Sequence, residues 1–160
     1  MIREKKHRLD REQYIGEKII SFTLCVKERK KLFVDDIVFK TLKDILLKEA
    51  EKFDISLLLF LFMPDHCHLL VKGNNENSDV KSFIDRFKQK SGFWLAQNKP
   101  EFKWQKDYYD HILRDNEDLK NHLLYILNNP IREKLVDNWK DYNYKGSSCF
   151  DLDKWEEFIY

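Results

Sequence analysis

Two histidines on alternate residues, His66 and His68, are the side chains of this sequence best suited to chemistry. They begin an apolar run, Leu69 to Val71, that is typical of a β-strand. Side chains of a strand alternate between its faces, so both imidazoles leave from one face, about 7 Å apart, and Cys67 leaves from the other. Two neutral imidazoles on one face can share a divalent metal ion. The alternative is a half-buried pair in which each ring is hydrogen-bonded and no metal is bound.

A second pair of candidate residues lies downstream, in a segment whose apolar spacing predicts a helix. Tyr125 and Asn129 are four residues apart, so a phenol and an amide oxygen project from one helix face. Pro130 disturbs the last helical turn, which leaves open whether Asn129 or Asn128 presents its amide. His122 lies three residues before Tyr125 and could accept the phenolic proton, but a structural or surface role is the simpler expectation.

The elements that must position these groups follow from the apolar pattern. Strands are predicted at residues 19–26, 55–63, 66–71 and 107–114, and helices from 35 or 36 to 53, from 78 or 79 to about 89 or 90, and from 117 to about 128. Met63 to Asp65 forms the turn of a hairpin, and residues 91–100 break the second helix. This order predicts an α+β fold, a ferredoxin-like split βαβ two-layer sandwich. Its antiparallel sheet carries two helices on one face, and a C-terminal helix bears the tyrosine.

A few polar or aromatic residues fall at positions that the pattern assigns to packing. Glu49 interrupts the apolar stripe of the first helix. Tyr108 and Tyr109 compete with Tyr125 for a catalytic role, but we interpret them as packing residues because one of two neighbours on a strand must face the core. His111 is expected to be a structural or surface group.

Length and composition predict one folded domain over residues 1–160, with a basic N-terminal arm and an aromatic, acidic C-terminal tail. The odd number of cysteines, Cys25, Cys67 and Cys149, and their apolar or aromatic surroundings predict reduced core residues. No apolar run reaches the roughly 18 residues of a membrane span, so we expect a cytoplasmic protein without a membrane partner.

Charge is unevenly distributed along a chain whose net charge is only +1. Residues 1–34 hold ten Lys or Arg against five acids, whereas residues 137–160 hold three Lys against six acids. A basic arm can meet a phosphate backbone, although a charge run is more often a solvated surface.

Taken together, these motifs resemble the single-tyrosine HUH transposases, and in particular their REP-associated tyrosine transposase branch. The matching blocks extend from about Ile19 to Val136 in the family's order, so the resemblance implies a domain core at about 19–136. They are Pro64-Asp65-His66-Cys67-His68, Trp104-Gln105, Asp110-His111-Ile112-Leu113-Arg114, Glu117-Asp118-Leu119, and Tyr125 to Arg132 with its Asn128-Asn129-Pro130 centre.

The resemblance implies roles for individual residues. His66 and His68 would be metal ligands, Tyr125 would be the nucleophile, and Asn129 would be the third, amide ligand. The ion would be Mg²⁺ or Mn²⁺, because substrate oxygens and water complete its shell, whereas a structural zinc takes four protein ligands. Candidate phosphate contacts are Arg114, Lys88, Lys90 and Arg132, each with a solvated surface position as the alternative.

The activity implied by the resemblance is nicking and rejoining of single-stranded DNA, at a hairpin or palindromic end, through a 5′-phosphotyrosine. The alternative is a binding module of the same fold with an idle site that holds structured DNA for a partner. A metal-dependent hydrolase would leave the Tyr125 segment unexplained, and an RNA-binding split βαβ domain would show aromatic residues in place of the histidine pair. The sequence leaves open a monomer or a homodimer, a tyrosine acting in its own or the partner subunit, and a mobile or domesticated element.

Overall fold

The computed structural model describes residues 10–159. Residues 1–9 of the predicted basic arm and Tyr160, the final residue of the tail, lie outside this range. Within it, no helix is both long enough and apolar enough to cross a lipid bilayer. Whether residues 1–160 behave as one domain stays a prediction.

The sheet has five strands in the order β4-β1-β3-β2-β5, and all neighbouring pairs are antiparallel. The strands are β1 (Ile19–Cys25), β2 (Ile55–Met63), β3 (His66–Gly73), β4 (Tyr109–Leu113) and β5 (Lys145–Gly146). The predicted hairpin is present, with Met63 paired to His66 across the turn. The order of the first four strands confirms the ferredoxin-like split βαβ prediction.

Residues 10–159 also form four α-helices, namely α1 (Asp36–Lys52), α2 (Val80–Asn98), α3 (Asn116–Leu127) and the short α4 (Asn129–Arg132). Side chains of Asp35, Asp79 and Asp115 cap the first three by accepting hydrogen bonds from backbone N–H groups of the first turn. The three helices begin within one residue of the starts that the sequence predicted. Short 3₁₀ segments span Arg11–Tyr14, Lys27–Arg29, Trp139–Asp141 and Leu152–Glu157.

The predicted end of the second helix was wrong. Helix α2 continues past Gln89 and Lys90 to Asn98, without a break at Ser91. The Ser91 hydroxyl donates to the carbonyl of Phe87 (2.6 Å) and accepts from the indole N–H of Trp104 (2.8 Å). Ser91 is therefore a buried polar group that is hydrogen-bonded as both donor and acceptor. Tertiary packing stabilises the helix in a segment whose local helix propensity is weak.

The two faces of the sheet bury different cores. Helices α1 and α2 cover one face, where inward residues of the strands such as Phe22, Phe62 and Leu69 form a continuous apolar cluster. Helix α3 and the C-terminal segment cover the other face, where Leu123, Ile126 and Trp155 pack with Leu61, Leu70 and their neighbours. The tyrosine-bearing helix is thus brought to the face opposite α1 and α2.

The cysteines follow the expectation only in part. Cys25, Cys67 and Cys149 all carry reduced thiols. Cys25 and Cys67 are buried, but Cys149 is exposed, so it is not the core residue that its aromatic neighbour suggested. Burial raises the pKa of the Cys67 thiol, which stays protonated and packs as a small apolar group.

Candidate active site

The two imidazoles meet on the face of the sheet that α3 covers. Because β3 alternates, His66 and His68 project to this side while Cys67 enters the opposite core. Their Nε2 atoms lie 3.2 Å apart, and the ring planes are nearly perpendicular, at 89°. Both histidines are buried, so the surrounding protein fixes the positions of their rings.

The other nitrogen of each ring has a partner that fixes its orientation. His66 Nδ1 lies 2.7 Å from the carboxylate of Asp65, and His68 Nδ1 lies 3.2 Å from the hydroxyl of Thr23. A carboxylate accepts the proton of Nδ1, which leaves the lone pair of His66 on Nε2. These partners therefore aim the two Nε2 atoms at one point in the cavity.

Burial and neighbouring charges set the protonation states of His68 and Asp65 in this site. Burial, together with the nearby His66, holds the pKa of His68 well below its usual value, so the ring is neutral at neutral pH. Burial alone would raise the pKa of Asp65, but hydrogen bonds from His66 and Arg29 outweigh it and lower that pKa to about 2. Asp65 is thus a carboxylate that orients His66 at any physiological pH.

Asn129 brings the third polar group. It is the first residue of α4, and its side-chain nitrogen lies 3.3 Å from His66 Nε2 and 3.1 Å from His68 Nε2. A rotation of the amide by 180° presents the oxygen to the same point. Of the two candidate amides, it is that of Asn129 which contacts the imidazoles, because α4 begins at Asn129 directly after the C-cap Asn128, with Pro130 in its first turn.

This donor set fits a divalent ion. Two imidazole nitrogens and one amide converge within 3.3 Å of one another, which leaves coordination positions for water and substrate oxygens. Across residues 10–159 there is no cluster of three His, Cys, Asp or Glu side chains that could hold a metal. A site of two histidines and an amide has only two members of those residue types, so it differs from a closed structural site.

Tyr125 lines the same cavity as the histidine pair and Asn129. Its side chain is 60% exposed, so the phenol is open to a large substrate. The guanidinium of Arg132 lies over the Tyr125 ring, 4.0 Å from its centroid, and donates a hydrogen bond to the Tyr125 carbonyl (2.7 Å). A single short helix, α4, therefore supports both the amide ligand candidate and the ring of the nucleophile candidate.

Several cavity residues were missed by the sequence reasoning. Ser21, Thr23, Arg29 and Glu133 line the cavity with the predicted groups. Ser21 and Thr23 alternate in β1 in the same way as the histidines in β3, and Thr23 is paired with His68. The polar residues of an otherwise apolar strand were a usable signal, whereas Arg29 gave none because it lies in a run of surface charges.

His122 and His111 also line the cavity. His122 Nε2 lies 2.8 Å from the Ser21 hydroxyl, and its ring packs against that of His111 at 6.0 Å. Burial, with a smaller contribution from His111, lowers the pKa of His122, so the ring is neutral. Tyr109 lines the cavity too, whereas its neighbour Tyr108 is buried in the opposite core.

The predicted phosphate contacts fall in different places. Arg132 lines the cavity, but Arg114 lies beside a separate surface groove with His111 and Asp118. Lys88 donates to the carbonyls of Gln105 and Lys106 (both 2.8 Å), and Lys90 pairs with the buried Glu49 (3.0 Å). Their roles in DNA binding stay predictions, with structural partners now known for both lysines.

Comparisons with known proteins identify the class. Residues 17–129 match the family described as "Transposase IS200 like". The chain belongs to this family, and its general function is transposase-type processing of DNA. The resemblance to REP-associated tyrosine transposases is likewise confirmed by the relatives that follow.

One relative is a Haemophilus influenzae protein named "Putative REP-associated tyrosine transposase", 27% identical over 136 residues, which cover 78% of this chain and 77% of the relative. Among solved structures, the REP-associated tyrosine transposase bound to a REP hairpin has a TM-score of 0.75 and 19% identity, covering 88% of this chain and 81% of that one. A transposase structure from Deinococcus radiodurans, also described as putative, has a TM-score of 0.53 and 23% identity, over 78% and 96% of the two chains. The solved structures establish the shared fold.

Proposed function

We propose that this protein nicks and rejoins single-stranded DNA, with Tyr125 as the nucleophile. The observation that carries the proposal is that one cavity is lined by an exposed tyrosine and by two imidazoles whose free nitrogens converge on an amide. Tyrosine is the only one of these groups that can form a stable phosphodiester, so the cavity combines a nucleophile with a place to hold the phosphate it attacks.

The reaction balances without an external energy source. The Tyr125 phenolic oxygen attacks the phosphorus of a DNA phosphodiester, and the bond from phosphorus to the 3′ oxygen breaks. The leaving strand takes up a proton to become a free 3′-hydroxyl, and the other strand stays on the protein as a 5′-phosphotyrosine. A second 3′-hydroxyl can then attack this ester, release the tyrosine and rejoin the strands, because the ester bond is conserved throughout.

His66, His68 and Asn129 are the residues that would hold the divalent ion, Mg²⁺ or Mn²⁺. When bound, such an ion supplies positive charge that offsets the charge developing on the non-bridging phosphate oxygens. Arg29 and Arg132 add fixed positive charge to the cavity wall. His122 lies one helical turn before Tyr125 and is a neutral base within the same cavity, so it is a candidate for the phenolic proton.

The substrate we propose is DNA with a hairpin or palindromic end. The support is the related fold solved with a REP hairpin, together with the exposure of Tyr125 at the mouth of the cavity. A cytoplasmic location and a monomeric or homodimeric state are retained as parts of the proposal.

The test is covalent capture. Purified protein with Mn²⁺ and a labelled hairpin oligonucleotide is expected to give an adduct that survives a denaturing gel, and Tyr125→Phe is expected to give none. Tyr109→Phe is the matched control, because Tyr109 also lines the cavity and its loss should leave the adduct in place. An adduct with Tyr125→Phe would identify another nucleophile, and hairpin binding without any adduct would indicate the idle binding module.

A further inference from the structure

Two short segments in the folded part of this nearly neutral chain carry an excess of positive charge. Residues 27–31 contain four basic residues and one acid, and residues 99–106 contain three basic residues and one acid. The net charge of the whole protein is +1, so the remaining residues together are acidic. A patch of this kind is more than the scattered charge expected of a solvated surface.

The fold joins the two segments side by side. The backbone N–H of Lys27 donates to the carbonyl of Lys103 (2.7 Å), and the N–H of Gln105 donates to the carbonyl of Cys25 (2.9 Å). Val26 and Trp104 form an isolated antiparallel bridge between them. We call the resulting surface the basic rim, which consists of Lys27, Arg29, Lys30 and Lys31 from one segment and Lys99, Lys103 and Lys106 from the other.

The basic rim is continuous with the candidate active site. Arg29 belongs to the rim segment, yet its guanidinium reaches Asp65 (3.0 Å) and lies 3.5 Å from His66 Nδ1. Its neighbours Lys27, Lys30 and Lys31 are exposed. The turn directs Arg29 towards the site and leaves the neighbouring lysines exposed. It holds Glu28 and Arg29 at φ of 61° and 54°, a conformation that non-glycine residues adopt at a cost in free energy.

The aromatic residues of the rim segments are not available for stacking on bases. Phe102 and Trp104 pack against the apolar core, and the Trp104 indole donates to Ser91. Single-stranded DNA is usually bound by exposed rings next to positive charge, whereas duplex backbone is bound by charge alone. The rim therefore has the chemistry of a surface for duplex phosphates.

We propose that the basic rim binds the phosphate backbone of the duplex stem of a DNA hairpin, beside the single strand that enters the cavity. This inference rests on the proposed function, since it assigns a part of the same substrate to a second surface. Lys30 is already engaged with Glu28 (3.7 Å) and with the carbonyl of Glu101 (3.1 Å), so Lys27, Lys31 and Lys103 are the residues to test.

The experiment measures the salt dependence of hairpin binding by fluorescence anisotropy. The triple variant Lys27→Gln, Lys31→Gln and Lys103→Gln is compared with Lys40→Gln, Lys48→Gln and Lys72→Gln, which removes the same charge from exposed positions on α1 and β3. Each lost contact with duplex phosphate lowers the slope of log K against log salt by about 0.9. We expect the rim variant to lose about 2 to 3 units of slope and the control variant to lose less than about 0.5.

A second probe separates the stem from the strand. On an oligonucleotide that lacks the stem, the rim variant is expected to bind as the unaltered protein does. An equal slope loss in the control variant, an unchanged slope in the rim variant, or an equal loss on the stemless strand would each overturn the proposal. Adduct formation at saturating hairpin is measured in parallel, so that failure of the nicking chemistry is distinguished from failure of the rim assignment.

Discussion

Successive residues of strand β3 point to opposite faces of the sheet, and the side chains on the two faces differ completely in chemistry. On one face, Cys67, Leu69 and Val71 enter an apolar cluster shared with α1 and α2. On the other, His66 and His68 face Asn129, and only Leu70 joins an apolar cluster. The same strand thus serves as core on one side and as wall of a polar cavity on the other.

The difference assigns separate tasks to the two faces. Buried apolar area is the main source of folding free energy, whereas buried polar groups add little to it even when they are paired. The side of β3 that faces α1 and α2 should therefore contribute mainly to stability, and the side that carries the two histidines should contribute mainly to activity. Substitutions on each face can separate the two properties.

The apolar face should show the largest effect on stability. Phe62 is fully buried and makes edge contacts with Phe33 and Phe39, so Phe62→Ala is expected to lower the free energy of unfolding by about 3 to 5 kcal/mol. Urea denaturation measures it. Phe93→Ala is the control, because Phe93 is 65% exposed and should change stability by less than about 0.5 kcal/mol. Similar losses for both variants would remove the basis of the comparison.

The polar face should respond in activity instead. His66→Ala or His68→Ala is expected to bind hairpin DNA with little change but to form adduct about 10³-fold more slowly, because charge stabilisation at the phosphate is lost. Single-turnover gels give the rate and anisotropy gives the affinity. His111→Ala lies in the same cavity away from the Nε2 pair and should keep its rate. Normal cutting by the His66 and His68 variants would exclude a metal bound there.

A smaller loss is expected at the support of the nucleophile. Arg132→Gln removes the guanidinium from the Tyr125 ring, which should slow adduct formation by about 10- to 100-fold through misplacement of the phenol. If positioning is the role, the salt dependence of hairpin binding stays unchanged and Arg132→Lys restores little of the rate. A slope reduced by about 0.9 would instead show a phosphate contact, as first expected for this residue.

The smallest effect concerns Glu49, the one carboxylate in the apolar stripe of α1. Burial opposes its ionisation, but hydrogen bonds from Lys90 and Lys52 outweigh burial and hold its pKa below the usual 4.5. The stabilisation is therefore complete above about pH 4.5 and is lost as pH falls through the lower pKa of the folded state. Glu49→Gln should cost about 1 kcal/mol at pH 7, and this cost should shrink progressively as the pH falls below 4.5. Glu51→Gln, exposed on the same helix, should show no such pH dependence.

The sequence predicted those parts of the molecule in which local pattern and tertiary structure agree. The hairpin at Pro64, the starts of the three long helices and the order of the strands all follow from short-range rules, and the structure confirms the split βαβ fold. The alternation at His66 and His68 also predicted a shared face, and the structure brings their nitrogens together. The chemical roles of these residues remain predictions.

What the sequence could not give are contacts between distant segments. Ser91 was expected to break the second helix, but its hydroxyl accepts a hydrogen bond from Trp104 and the helix continues. Lys90 was predicted to contact phosphate, but in the structure it donates a hydrogen bond to the buried Glu49, which lies 41 positions away in the sequence. Arg29 reads as one charge among several, and only the turn at Glu28 directs it towards His66. In each case the partner lies on another element, beyond the reach of periodicity.

The two histidines lie on the same face of β3 because they are separated by an even number of positions in the sequence. Because β3 is held in register by β1 and β2 on its two sides, deleting or inserting a single residue between the imidazoles would send one of them into the apolar layer. Only changes by an even number of residues would keep both rings on the cavity side. Length variation in relatives of this chain should therefore be absent within the motif and confined to the connections around it.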